Sequence, residues 1–255
     1  MRSARTGRDA VLHLNDLLDL AIEAHGGLRR WRELTSITAN LSFRGPMLTN
    51  KGWEGALEHV VVSVDPHVQR VLIGTFTAPD RRGLFTGDRV VIETTQGSLI
   101  DLRFNPREAF LHRDVDTPWD ALDLAYFTGC AMWTSLTVPF LLNEPGFVTE
   151  ELAPWQEDGE TWRRLRVVFP DGIACQNRDQ VFYFGPDGLL RRHDYNIDIV
   201  AGVPTADYTD DHQVFGGISF PTLRRAVRRL ADGLTEPEPA FFAIDISNLT
   251  VASRQ

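Results

Sequence analysis

The sequence predicts a mainly β protein: a single curved antiparallel sheet, an open half-barrel, closed by an N-terminal helix and a long apolar central helix. Three observations carry that prediction. First, about a dozen short segments alternate apolar and polar residues, which is the pattern of half-buried strands. Second, turn pairs such as Gly87-Asp88, Gln96-Gly97, Asp158-Gly159 and Gly216-Gly217 separate them at close spacing, as in a meander rather than in βαβ units. A sheet that long curls. Third, one stretch breaks the period: from Leu124 to Leu142 no side chain is charged.

Across the wider stretch 118–145, Trp119, Leu122, Tyr126, Gly129, Trp133, Leu136 and Phe140 recur at steps of three and four, one face of a helix. The other side offers only Thr128, Thr134, Ser135 and Thr137 as hydroxyls. A helix apolar nearly all round is buried on most sides or spans a bilayer. The uncharged run approaches the roughly 20 residues that a span needs. Its hydroxyls, Gly129 and Pro139 argue against lipid exposure, and its flanks are acidic (Asp120, Asp123, Glu144) rather than basic. A buried plug or lid over residues 119–142 is the expectation, without stable membrane insertion.

The elements follow in order. Residues 1–12 are a basic lead with three arginines and no apolar run of signal-peptide length, so a cytoplasmic setting is expected. One domain is expected over 13–251. Asn15 to Arg32 reads as a helix interrupted at Gly26-Gly27, with a short turn through Trp31. From Thr35 the period is two: Ile37, Ala39, Leu41 and Phe43 alternate until Gly45-Pro46 turns the chain. Strands are expected at 53–64, 69–76, 83–86, 90–94 and 98–104, then a polar loop at 105–117 leads into the central helix. Beyond Pro145 they resume at 147–153, 161–169, 180–184, 189–200, 206–215, 218–230 and 241–251.

Composition narrows the function classes. A net charge of -9 disfavours nucleic acid and anionic membrane surfaces. Six Trp and 15 Phe are generous, and aromatics often line apolar pockets. Two cysteines, Cys130 in the helix and Cys175 in a loop, make no disulfide framework. No G-x-S-x-G and no glycine-rich phosphate loop is present. His59, His193 and His212 lack close metal-ligand spacing, and the alternating His112, Asp114 and Asp116 read as a solvated loop. No metal and no cofactor is expected, and the oligomeric state stays open.

The segment AIEAHGGLRRWRELTSITANLSFRG, residues 21–45, resembles the opening of LolA-like proteins: a helix, a Gly-Gly break, then the first strand of a curved sheet. GLLRRHDYNIDIV and ADYTDDHQVFGGISFPTLRRA, within residues 188–226, are similar to the C-terminal strands of that group. The resemblance implies an open half-barrel whose concave side is closed by helices and shelters a hydrophobic ligand. It carries over no catalytic residue.

Strand alternation then sorts candidate site residues. On 189–200, Arg191, His193, Tyr195, Ile197 and Ile199 share one face, while Arg192, Asp194, Asn196 and Asp198 read as solvent. On 206–215, Tyr208, Asp210, His212 and Val214 oppose Asp207, Thr209, Asp211 and Gln213. On 53–64, Trp53, Leu57, His59 and Val61 align. The primary expectation is a hydrophobic small molecule or lipid held by Trp53, Leu57, His59, Tyr126, Trp133, Phe140 and Ile197. The alternative is an isomerase, cyclase or decarboxylase of an apolar substrate, with His193, Tyr195, Tyr208 and His212 as acid-base groups. A ligand-free interaction module is the expectation if the concavity is fully packed.

Overall fold

The protein is described by a computed structural model covering residues 16–254, so the lead, Leu14 and Asn15 lie outside the described residues. Two short helices, α1 (Asp16–Ala24) and α2 (Gly27–Glu33), precede the first strand. The first half of the sheet is β1 (Leu34–Arg44), β2 (Val60–Val64), β3 (Val71–Gly74), β4 (Arg81–Phe85), β5 (Arg89–Thr94) and β6 (Leu99–Phe104), with α3 (Pro46–Asn50) between β1 and β2. The central helix α4 (Ala121–Thr137) follows. The second half is β7 (Val148–Glu157), β8 (Glu160–Val168), β9 (Asp179–Phe184), β10 (Leu190–Ile197), β11 (Val203–Phe215), β12 (Ile218–Arg229), the two-residue β13 (Thr235–Glu236) and β14 (Phe242–Ser253).

These strands form one 14-stranded antiparallel sheet in the order β6-β5-β4-β3-β2-β1-β14-β12-β11-β10-β9-β8-β7, with β13 beside β12. It is not closed: β6 and β7 are its two edges. Local hairpins build each half, and the β1–β14 pairing, Leu34↔Ser253 to Arg44↔Ala243, joins the two halves. The mainly β half-barrel is therefore as the alternation predicts.

Alpha-4 fills the concavity. Nearly all its residues are buried, and it rests on β2 to β6. Phe127 meets Phe43 at 5.6 Å, and Tyr126 meets Phe85 edge-on at 5.9 Å. Gly129 lets the helix approach β4 closely, since a Cβ there would collide with the Phe85 ring. Among the described residues no helix is long and apolar enough to cross a membrane.

Boundaries differ from the sequence expectation where prolines and glycines intervene. Alpha-4 ends at Thr137, not Leu142, because Pro139 lacks an N–H and disfavours helix at Val138. A separate 3-10 turn, Phe140–Asn143, follows. The strand expected at 53–64 begins only at Val60: Pro46 opens α3, and Gly52 and Gly55 at positive φ carry the chain round in turns. The strand at 189–200 stops at Ile197, and Asp198–Val200 is a 3-10 turn.

Gly26 sits at φ 119° between α1 and α2, where a Cβ would strike the Gly217 carbonyl. Beside it His25 is buried, its Nδ1–H donating to Ala21 O at 2.7 Å. Burial lowers its pKa from 6.5 to about 4, partly offset by that hydrogen bond and by Asp187. The fold accepts the neutral ring, so the unfolded chain takes up a proton below pH 6.5 while the folded chain does not until about pH 4. Stability is complete above that window and falls through it, by about 1.4 kcal/mol per pH unit for one such site. Urea titrations at pH 7 and pH 5 should show this loss, and His25→Gln should reduce it. An unchanged pH slope in the variant would remove His25 as its source.

Candidate functional site

Polar residues collect where α4 faces the second half of the sheet. The register pairs His193 with Phe182 on one side and Asp207 on the other, so these three side chains share the concave face. Phe182 stacks on the His193 ring at 4.2 Å and 12°, and Tyr195 lies 4.6 Å from His193. Arg224 of β12 donates Nε and Nη2 to Asp207 Oδ2 at 2.9 and 2.7 Å. His193 Nε2 lies 2.6 Å from Gln180 Oε1. Gln180 Nε2 donates to Asn177 O at 2.6 Å, which fixes the amide so that Oε1 accepts from Nε2–H and Nδ1 keeps its lone pair.

Burial works against the charged forms of His193, Tyr195 and Asp207. His193 lies well below the usual histidine range, with Arg224 adding to the effect. The Tyr195 phenol is pushed up by burial and by Asp207. Burial also raises the Asp207 carboxyl, against the opposing pull of Arg224. A neutral histidine of this kind is a weak base at neutral pH.

A cavity of about 20 Å³ lies among Cys130, Ala131, Thr134 and Ser135 of α4 and Gln176, Gln180, His193, Tyr195 and Asp207 opposite. That is room for about one water-sized group. Nearby, a cleft of about 830 Å³ opens between the residues 105–108 and the loop 171–179, reaching down to Tyr126. Tyr126, Cys130 and Thr134 are spaced at i, i+4 and i+8, so one stripe of α4 runs from the cleft into the cavity. Cys175 and Asn177 face the cleft while Gln176 lines the cavity, so residues 175–177 stand between the two. Arg107 pins that segment, donating to Cys175 O at 2.7 Å and Gln176 O at 3.4 Å and pairing with Asp198 at 2.6 Å.

The four residues grouped as acid-base candidates are not brought together. His193 and Tyr195 are concave. Tyr208 pairs in register with Arg192 and is on the convex face, its hydroxyl donating to Glu157. His212 instead packs against His25, rings 6.0 Å apart. A left-handed backbone at Asp211, φ 50°, interrupts the alternation just before it. The supposed solvent face of β10 is also corrected: Arg192 and Asp194 are buried, under Trp155, Tyr183 and Tyr208.

The ligand candidates are scattered. Tyr126 forms the cleft floor. Trp133 is buried, donating Nε1 to Asp65 O at 3.1 Å, and Phe140 stacks on Trp31 at 4.3 Å. Trp53 and Leu57 sit in the turns before β2: Trp53 Nε1 donates to Trp119 O at 3.0 Å, and Leu57 is core. His59 is exposed at φ 59°, away from the concavity that strand alternation had assigned it. Ile197 borders a separate cavity of about 130 Å³ with Lys51, Val203 and Phe241. Sequence reasoning missed Gln180, Asp207 and Arg107. The signal for Asp207 was the β10–β11 turn, which sets odd-numbered residues opposite odd-numbered ones.

No family model matches the sequence, and no curated protein matches it. Solved structures do match. A LolA superfamily protein from Nitrosomonas europaea aligns over 94% of both chains at 12% identity, TM-score 0.51. A DUF1329 family protein from Desulfovibrio piger covers 92% of each at 14% identity, TM-score 0.52. A domain described as a candidate outer membrane lipoprotein-sorting protein from Vibrio parahaemolyticus covers 93% of each at 10% identity, TM-score 0.53. With an open antiparallel half-barrel wrapped around an apolar helix and these likenesses along nearly its whole length, the chain has the LolA-like fold.

Proposed function

We propose that this protein binds a hydrophobic small molecule or lipid, admitted through the cleft above Tyr126 and lodged along α4 against the concave face of β9 to β12. The observation that supports it is the Tyr126–Cys130–Thr134 stripe, which joins a ligand-sized cleft to a partly polar inner cavity. The similar structure described as lipoprotein-sorting points the same way. In the closed arrangement α4 and residues 175–177 occupy the path, so binding displaces that segment. We propose the setting as cytoplasmic, in keeping with two buried free thiols, Cys130 and Cys175; cell fractionation tests it.

The test is native mass spectrometry of the purified protein together with titration by Nile red, a neutral apolar fluorophore. Extra mass lost on denaturation, or saturable fluorescence enhancement displaced by a long-chain lipid, is the expected result. Arg107→Met releases the carbonyls of Cys175 and Gln176 and should speed Nile red association several-fold. A bare protein mass combined with no saturable Nile red signal overturns the reading.

A further inference from the structure

The inner cavity contains a hydrogen-bonding valence that the protein leaves open. Both guanidinium contacts of Arg224 go to one oxygen of Asp207, Oδ2. The other, Oδ1, is buried, and among the described residues no group donates to it. Asp207 is 3% exposed and borders the cavity. A buried acceptor without a donor is destabilising. The charge, however, is already matched by Arg224, so what Oδ1 lacks is a neutral donor.

The surroundings refine this. His193 turns Nε2–H to Gln180, leaving Nδ1 a second acceptor, and Tyr195 stands beside it. Among the described residues Arg224 Nη1 is also buried without an acceptor. An ammonium would add net positive charge beside an ion pair already balanced. A carboxylate would face the Asp207 oxygen with no proton to give. The small side chains Ala131 and Ser135 of α4 and the space of about 20 Å³ admit one such group, with hydrocarbon continuing along the helix.

We propose that the ligand is an apolar molecule bearing a neutral hydroxyl, whose O–H donates to Asp207 Oδ1. This rests on the cavity reading above and names the polar end of what the cavity takes. The hydroxyl is the determinant of selectivity there, and Asp207 is the residue that reads it.

Competition against Nile red by 1-decanol and by 1-fluorodecane tests it, because fluorine replaces the hydroxyl at nearly equal size without a proton. The expected result is that the alcohol binds about tenfold more tightly to the wild-type protein, the scale of a hydrogen bond to a charged group. In Asp207→Asn the amide oxygen keeps Arg224 and its NH2 replaces Oδ1, so the preference should narrow to about threefold or less. Equal or tighter binding of the fluoride by the wild-type protein overturns the hydroxyl proposal while leaving the apolar cavity standing. That result needs no variant to fold. An unchanged preference in a folded Asp207→Asn also overturns it. Failure of both compounds to displace Nile red removes the cavity reading and the hydroxyl site with it.

Discussion

Arg192→Met is expected to lower unfolding free energy by about 3–5 kcal/mol, read from urea denaturation at neutral pH. Arg192 is fully buried on the convex side of β10. Its Nε and Nη2 hold Asp194 at 2.6 and 2.9 Å, Nη2 also reaches Gly233 O at 2.7 Å, and Nη1 reaches Glu157 at 3.0 Å. Tyr183 donates to Asp194 at 2.8 Å and lies under the guanidinium, 4.8 Å away. Removing the cation leaves Asp194, 5% exposed, with Arg229 at 3.5 Å as its remaining ion-pair partner. Removing both charges leaves neither half of the Arg192–Asp194 pair buried alone, while Glu157 and Arg229, 20% and 27% exposed, can rehydrate, so Arg192→Met with Asp194→Leu should recover most of the loss. Recovery stays incomplete because Tyr183 and Gly233 lose their partners. A single-variant loss under about 1 kcal/mol would mean the pair behaves as a surface ion pair, contrary to its burial.

The same residues show where the sequence was readable and where it was not. Alternation located nearly every strand of β3 to β12 to within a few residues, because each strand has an apolar side to bury. The uncharged stretch identified α4 for the same reason, since a helix apolar all round has to be enclosed. Alternation does not say what covers the opposite face. Arg192 and Asp194 are written in polar letters and read as solvent, yet Trp155 on β7 and the loop at Gly233 fold over them. Those neighbours are about 40 residues distant in either direction, so no local pattern reports them.

The candidate site failed at a finer level, that of phase. Alternation groups His193 and Tyr195, which do lie side by side, with Tyr208, whereas the register sets Asp207 opposite His193. A one-residue slip moves every side chain to the other face, and here it exchanged a convex tyrosine for the concave aspartate. The turn through Gly202 fixes that phase, and its length follows from the 3-10 turn at Asp198–Val200, which the alternating pattern concealed. His59 failed differently. Its assignment assumed an extended chain from Trp53, whereas Gly52 and Gly55 at positive φ make that stretch a series of turns.

Asp123→Ala is expected to cost about 3 kcal/mol and to loosen the entrance of the cleft. Asp123 is completely buried at the first turn of α4. With Asp120 it forms a capping box: Asp123 N donates to Asp120 Oδ1 at 2.8 Å, and Asp120 N to Asp123 Oδ2 at 3.1 Å. A lost cap of this type costs about 0.5–2 kcal/mol. The carboxylate also accepts from Arg103 of edge strand β6 at 2.7 Å and from Arg113 of the preceding loop at 2.5 Å. These arginines are 24% and 29% exposed and can rehydrate, so their share falls short of the 3–5 kcal/mol of a fully buried pair. Asp123 thus ties the helix start to β6 and to the segment that leads on from Arg107. Its loss should raise hydrogen exchange across 105–119 more than across β10 and β11, and Asp123→Asn, which keeps an acceptor for the cap, should cost about half as much. Uniform exchange, or a loss under about 1 kcal/mol, would show that the cleft entrance is held by Arg107 and the 171–178 loop rather than by this carboxylate.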